Sequence, residues 1–207
     1  MRISVLNNII VITLFLSFIG NKSYACDDFA AFKHLMEGPP RSRYEYRGRY
    51  VNWAYEYSVK IPQGHTGYDG RDEANHSGFG LALGKSSQSY IFVIGEHNSL
   101  EYTTPREAAT QAVESLRQGG KDIESQTITE SHLGTLNAVL LEVIYNCPGS
   151  SDRHVQSSVM ALSPDNRFLY TLELDTPTSR YKSDHTVLDE IVKSWKMISE
   201  SRRRGRR

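Results

Sequence analysis

Two segments constrain the fold most, because they are apolar on both faces of a strand. Tyr90–Ile94 reads YIFVI, and Val139–Tyr145 is apolar in both alternating rows except at Glu142. Such strands lie in the interior of a sheet whose two faces are both covered. The sequence therefore predicts a sheet enclosed between two layers.

The other strand predictions rest on alternation and on turn residues. Val51–Ile61 alternates apolar and polar residues and ends at Pro62, which is typical of a half-buried strand. Further strands are predicted at Gly78–Leu83, Ile123–Glu130, Asn137–Tyr145, Val155–Leu162 and Phe168–Asp175. The short links between them favour antiparallel pairing.

Helices are predicted in three places. Thr104, Pro105 and Glu107 form a helix start with a capping box, and Gly119 ends that helix. A closing helix from about Asp184 to Ile198 carries one apolar stripe, and a short helix is predicted within Asp27–Arg43. The fold class that follows is α+β: an α/β/α sandwich with a mainly antiparallel sheet of about seven strands flanked by helices.

The order of these segments resembles a known family. It runs through Tyr55–Pro62, Gly78–Leu83, Tyr90–Ile94, the TPREAA helix, LGTLNA at Leu133–Ala138, FLYTLEL at Phe168–Leu174, YKSD, and IVKSW in the closing helix. Over roughly residues 50–198 this is similar to the PsbP-like fold family, which includes Ran-binding Mog proteins and bacterial envelope proteins. The resemblance implies an antiparallel sheet between helices and accessory, partner-binding or inhibitor-like roles. Some bacterial members neutralise secreted toxins, but the resemblance assigns no site residue.

The first 25 residues predict a secretory signal. Arg2 precedes an apolar stretch of 11 residues, Ile9–Ile19, and small residues stand at Ser23 and Ala25. That stretch is shorter than the ~20 residues of a membrane-spanning helix. We therefore expect a periplasmic or secreted chain with one domain over residues 26–199. An uncleaved anchor and a lipoprotein acylated at Cys26 are the alternatives.

Two cysteines in an oxidising compartment favour one disulfide. A Cys26–Cys147 bond would close a loop of more than 100 residues, worth ~4–5 kcal/mol in the chain-entropy model. The competing interpretation leaves Cys147 free beside a lipidated Cys26.

Charge is divided unevenly along the chain. Only Arg2 and Lys22 leave with the signal, so residues 26–207 carry 22 basic and 24 acidic side chains. Five of the basic ones are arginines of Arg202–Arg207, which leaves an acidic body and a cationic end. We predict a disordered Arg-rich tail over residues 200–207. Weak contact of Arg202–Arg207 with anionic membrane is the functional alternative.

No segment carries a catalytic or cofactor-binding motif. The sequence lacks G-x-S-x-G, a P-loop, G-x-G-x-x-G and H-E-x-x-H, so we expect no cofactor, no metal and no enzyme activity. Its seven histidines are interpreted as surface or turn residues. The glycines of Gly78-Phe79-Gly80 indicate a bend or close packing rather than a phosphate cradle.

Two stretches are candidates for binding a protein partner. Arg41–Tyr50 interleaves arginine and tyrosine, the side chains that dominate interface hot spots, although a charged edge strand has the same composition. Gln63–Ser77 is a long polar loop, and loops of that length are often functional. The candidate binding residues are Arg43, Tyr44, Tyr46, Arg47, Arg49, Tyr50, His65, Asp69, Asp72 and His76.

These features support one main hypothesis and two alternatives. The main one is an exported, non-enzymatic accessory protein that docks a protein partner in the cell envelope, in its sharpest form by neutralising a toxin. A hydrolase or metal enzyme using His65, Asp69 and His76 is the first alternative. A membrane-surface protein held by its arginine tail is the second. Export argues against nucleic acid as a partner.

Overall fold

The computed structural model describes residues 43–70, 77–84, 89–146 and 153–198. Eleven strands and two helices lie within these ranges. The strands are β1 (Arg43–Tyr46), β2 (Arg49–Asn52), β3 (Tyr57–Lys60), β4 (Gly67–Gly70), β5 (Gly78–Ala82), β6 (Tyr90–His97), β7 (Asp122–Leu133), β8 (Leu136–Asn146), β9 (Arg153–Leu162), β10 (Phe168–Pro177) and β11 (Lys196–Met197). The helices are α1 (Pro105–Gln118) and α2 (Tyr181–Ser194). None of the described helices is long and apolar enough to cross a membrane.

Eight strands form the main sheet, in the order β1-β4-β5-β6-β10-β9-β8-β7. Every described pairing in it is antiparallel. The two strands predicted to be interior, β6 and β8, are each paired on both sides. The α+β class and the antiparallel sheet are therefore confirmed.

The larger core lies between the main sheet and a layer built from a small sheet and α2. The small sheet has the order β11-β3-β2. Its Tyr57 and Val59 pack with Leu172 and Leu174 of β10 and with Leu188 of α2, all 1% exposed or less. Trp195, which follows α2, stacks on Tyr57 with ring centroids 6.3 Å apart. The second layer thus combines strands with a helix.

The opposite face carries α1, which covers β7, β8 and β9. Ala108, Ala109 and Val113 of α1 pack on Val139, Leu141 and Val143 of β8 in a second core. The Thr104 side chain accepts from the Glu107 N–H at 3.3 Å, and the Glu107 carboxylate accepts from the Thr103 N–H at 2.8 Å. The predicted helix start and its end at Gly119 are both confirmed.

The predicted strand Val51–Ile61 is wrong, because these residues form a hairpin. β2 and β3 pair antiparallel with Asn52 opposite Tyr57, and residues 53–56 turn between them. The Asn52 Oδ1 accepts from the N–H groups of Ala54 and Tyr55 at 3.1 Å, and Glu56 adopts φ 59°. An asparagine side chain that binds the backbone two residues on is a local turn signal, and the alternation of apolar residues conceals it here. Trp53, which the alternation places in the core, is 38% exposed.

The structure corrects two further predictions, because it places short strands in both segments. The predicted loop Gln63–Ser77 contains β4, which pairs with both β1 and β5. The stretch Arg41–Tyr50 divides at Arg47-Gly48 into β1, an edge strand of the main sheet, and β2 of the small sheet. Gly48 supplies the turn with φ 71°. These strands are short and polar, so their periodicity is weak.

The closing helix begins and ends earlier than predicted. α2 runs from Tyr181 to Ser194, and Trp195 leaves the helix with φ −64° and ψ 138°. Lys196 and Met197 then pair with β3. The helix ends where burial of the Trp195 indole and pairing with β3 replace another helical turn. The predicted helix in Asp27–Arg43, both cysteines and the arginine tail lie outside the described residues.

The close-packing interpretation of Gly78 is confirmed. A Cβ atom at this position in β5 would lie 1.7 Å from the carbonyl oxygen of Val93 in β6. A side chain here would therefore displace the backbone of a central strand.

Candidate functional site

An open pocket joins the two stretches that the sequence singles out. Its volume is about 720 Å³, and it lies where β2 begins, where β3 ends and where the following loop turns. The lining residues are Arg47, Gly48, Arg49, Lys60, Ile61, Pro62, Gln63, Gly64, His65 and Thr66. Four of the ten carry cationic or protonatable groups, and none is acidic.

The hairpin register and the turns beside it position these basic side chains. Arg49 of β2 lies directly opposite Lys60 of β3. The Ile61 N–H donates to the Gly48 carbonyl at 2.7 Å, which holds the Arg47–Gly48 turn against the end of β3. Gly64, at φ 86°, turns the chain back, and the His65 N–H donates to the Pro62 carbonyl at 3.2 Å. These contacts hold four basic side chains around one concave surface: Arg47, Arg49, Lys60 and His65.

The four basic groups have no carboxylate within ion-pair distance among the described residues. The Arg49 Nη2 donates to the Ser58 hydroxyl at 3.0 Å, which orients its guanidinium without neutralising it. His65 Nδ1 lies 3.3 Å from the Gln63 carbonyl oxygen. Arginine presents five donors in a fork that matches carboxylate geometry, and lysine adds a point charge. The pocket is therefore suited to an anionic ligand.

Aromatic rings lie along β1, the strand that leads into the pocket at Arg47. Tyr46 packs edge-on against Tyr50 with centroids 4.7 Å apart, and Tyr50 packs on Phe79 at 4.9 Å. Tyr44 stacks on Tyr46 at 6.5 Å and is 39% exposed. Tyr50 is only 4% exposed, so it supports the surface from the core and is not available to a partner.

Arg43 and Asp69 are separated from the pocket. The Arg43 guanidinium donates to the Glu45 carboxylate at 3.0 Å and lies over the Tyr68 ring at 5.2 Å. Asp69 is 6% exposed in β4, opposite Tyr44 of β1. Burial, together with the negative charge of Asp69, raises the pKa of Tyr46 above its usual value. Neither residue lines the pocket between β2, β3 and the following loop.

The remaining predicted site residues form no catalytic cluster where the structure describes them. Asp72 and His76 lie outside the described residues, as do Cys26 and Cys147. His65 lines the pocket, whereas Asp69 is buried in β4. In the part of the chain that the structure describes, no group of three or more histidine, cysteine or acidic side chains is arranged to hold a metal ion.

Lys60 is the basic residue of the pocket that the sequence reasoning missed. It lies on the polar side of the predicted Val51–Ile61 strand, where an exposed lysine carries no information. Its position beside Arg49 follows from the hairpin register. A stronger weight on Asn52 as a turn residue would have revealed the hairpin and, with it, this pairing.

The sequence reasoning also missed a buried polar network around Asp175 of β10. Asp175 accepts from the Tyr145 hydroxyl, lies 2.8 Å from His154 Nδ1 through its Oδ1, and pairs with Lys121 Nζ at 3.7 Å. The Tyr90 hydroxyl donates to it at 3.4 Å. His154 is 7% exposed, so its interpretation as a surface histidine is wrong. This network ties β6, β8, β9, β10 and the α1–β7 connection to one carboxylate.

Comparison with known proteins shows the fold. No protein-family model matches the chain, and no curated protein sequence does. The Ran-binding protein Mog1p of Saccharomyces cerevisiae superposes with a TM-score of 0.52 at 10% identity, over 76% of this chain and 98% of that one. CyanoP, the PsbP of the cyanobacterium Synechocystis, gives 0.51 at 14% identity, over 78% and 95%.

A third structure, from Bacteroides thetaiotaomicron, matches over 75% of this chain and 50% of that one, at 8% identity and a TM-score of 0.47. The first two matches confirm the resemblance stated from the sequence. The chain has the Mog1/PsbP-like fold: an antiparallel sheet between helices, with a small sheet on one face.

Proposed function

We propose that this chain is a non-enzymatic binding protein that docks an acidic segment of a protein partner in the pocket between β2, β3 and the following loop. One observation carries the proposal. Arg47, Arg49, Lys60 and His65 surround a single open concavity, and none of them is neutralised by a carboxylate of the described chain. Unpaired cations around one pocket attract a ligand that brings its own negative charge.

A protein segment fits this surface better than a small metabolite does. The pocket is open, and the chain enters it at Arg47 directly from β1, which carries the exposed Tyr44 and the half-buried Tyr46. An extended segment is long enough to reach both the basic side chains and these rings. Arginine and tyrosine together are enriched at the centres of protein interfaces. A carboxylate-bearing loop or terminus would satisfy the cations while an adjacent apolar residue covers the rings.

The fold is compatible with such a role. Mog1p, which shares the fold, is described as a Ran-binding protein. We place the partner in the periplasm or outside the cell, since the first 25 residues have the pattern of a secretory signal. A secreted toxin with an acidic docking segment would make this chain an immunity-type protein, which is the sharpest form of the proposal.

The test measures binding of a fluorescein-labelled decaglutamate peptide by anisotropy. We expect the unmodified chain to bind the peptide at low salt, and the Arg47→Gln/Arg49→Gln variant to bind it at least about tenfold more weakly, equivalent to ~1.4 kcal/mol. Binding by the unmodified chain should also weaken steeply with added salt, because the contact is electrostatic.

The matched control is Arg106→Gln/Arg117→Gln, which removes two exposed arginines of α1. It lowers the net charge by the same amount but leaves the pocket intact, so it should retain nearly the full affinity. Equal losses in the two double variants would mean that the peptide reads net charge, and the proposed docking site would then be abandoned.

A further inference from the structure

Three loops meet at the end of the molecule where the β2–β3 hairpin turns. We call residues 53–56, 98–104 and 163–167 the loop end. The Asn98 side chain joins two of the loops by donating to the Asn166 and Tyr102 carbonyls at 2.9 and 2.8 Å. The Tyr170 hydroxyl donates to the Tyr55 carbonyl at 3.0 Å and fixes the third. The loop end is therefore one ordered surface.

Two exposed side chains of the loop end are large and apolar, and three of its other side chains are acidic. Trp53 is 38% exposed and Leu100 is 56% exposed, and they are two of the three large hydrophobic side chains found exposed among the described residues. The three loops carry three carboxylates, at Glu56, Glu101 and Asp165, and only one guanidinium, at Arg167. That guanidinium pairs with Asp165 and lies 3.9 Å from Glu56.

The described chain also ends at this surface. The Ile198 N–H donates to the Glu56 carbonyl at 2.7 Å, so the described chain ends beside the β2–β3 turn. Residues 199–207 span at most ~30 Å when extended, which covers the loop end from this starting point. They include five arginines within seven residues. The cationic pocket lies at the opposite end of the same hairpin and repels them.

From this geometry we propose that the arginine tail Arg202–Arg207 docks in cis on the loop end, with guanidinium groups against Trp53 and beside Glu56, Glu101 and Asp165. Arginine over tryptophan is the most favourable cation–π pairing, and the carboxylates add charge complementarity. The tail then covers an exposed tryptophan, and its charge is withheld from anionic surfaces while it is docked. Docking of the tail on the loop end does not require the cationic pocket to bind a peptide.

The test records the two indole N–H signals of the chain by NMR. Trp53 reports on the loop end, and Trp195, which is 2% exposed, reports on the integrity of the core. Replacing the five tail arginines by glutamine should shift the Trp53 indole signal and the amides of Glu56 and Glu101, and leave Trp195 unmoved. Raising NaCl from ~0.01 M to ~1 M, which shortens the Debye length from ~30 to ~3 Å, should reproduce the shift in the unmodified chain.

Two matched variants complete the experiment. Replacing the same five arginines by lysine keeps the charge and should retain most of the Trp53 position. Arg47→Gln/Arg49→Gln removes cations at the opposite end of the hairpin and should leave the Trp53 signal in place.

An unmoved Trp53 signal in the glutamine variant overturns the proposal. A shift that depends on protein concentration overturns it as well, because the tail of a second copy would then be the occupant.

Discussion

The cationic pocket and the Asp175 network both gather basic side chains, yet they differ in whether the charge is compensated. Lys121 and His154 are buried and share the carboxylate of Asp175. Arg47, Arg49 and Lys60 are exposed and have no carboxylate partner in the described chain. A buried charge without a partner costs several kcal/mol, whereas water solvates an exposed one.

This difference separates stability from binding. The charged groups of the network are paired within the chain, so removing one of them should lower the free energy of unfolding. The basic side chains of the pocket are solvated. Replacing them should leave the fold intact and change only the ligands that the surface attracts.

The largest effect is expected at Asp175. Asp175→Asn keeps the shape but leaves Lys121 and His154 in a buried site without their carboxylate, and should lower the free energy of unfolding by ~3–5 kcal/mol. Denaturant unfolding measures it. Asp122→Asn, at an exposed aspartate of β7, is the matched control and should stay within ~0.5 kcal/mol. A similar small value for Asp175→Asn would show that the network does not stabilise the fold.

A smaller loss is expected at Tyr145. Its hydroxyl donates to the Asp175 carboxylate and accepts from Lys121 Nζ at 3.3 Å. Tyr145→Phe removes a hydrogen bond to a charged group and should lower the free energy of unfolding by ~1.5–3 kcal/mol. Tyr102→Phe, at a half-buried tyrosine beside α1, is the control. Equal effects of the two substitutions would count against a special role for the network.

The pocket should show almost no effect on stability. Arg47→Gln/Arg49→Gln removes exposed charges, and the free energy of unfolding should change by less than ~0.5 kcal/mol. The same double variant should still lose affinity for decaglutamate. Thermal or denaturant unfolding, run beside the anisotropy measurement, checks both halves. A large loss of stability would place these arginines in the scaffold and erase the contrast with Asp175.

The smallest effect is expected at the exposed Asp165 in the β9–β10 turn. Hydrogen bonds from Ser163 and Arg167 lower the pKa of Asp165 from 3.8 to about 2. Because the folded-state pKa is depressed, its contribution is complete above pH 3.8 and is lost as pH falls toward 2. The melting temperature of Asp165→Asn should therefore approach that of the unmodified chain between these values. A constant gap across this range would contradict the assignment.

Long elements were predictable, and short ones were not. α1, with its cap at Thr104 and its end at Gly119, lies where the sequence predicts it, because capping and turn chemistry act within a few residues. The strands β8, β9 and β10 are long enough to show alternation. The four-residue strands β1 and β4 show no reliable alternation. In β2 and β3 the alternation runs on through the turn between them, so the sequence predicts one strand where the chain forms a hairpin.

The candidate site was predicted in part for the same reason. Arg47, Arg49 and His65 stand out by composition, and the structure brings them to one pocket. Lys60 lies beside them only because of the cross-strand register. Tyr50, which was predicted to bind a partner, is buried because it packs on Phe79. The Asp175 network joins residues far apart in the chain, so no local pattern indicates it.

The sequence by itself determined the composition of the layers: interior strands, an antiparallel sheet and helices with one apolar stripe. These follow from burial and backbone geometry within single segments. Only the tertiary structure decided which charges meet. Register across strands set Arg49 beside Lys60, and sheet order set Lys121 and His154 around Asp175. Electrostatic interactions depend on distance in space, and that distance is fixed only when the segments pack.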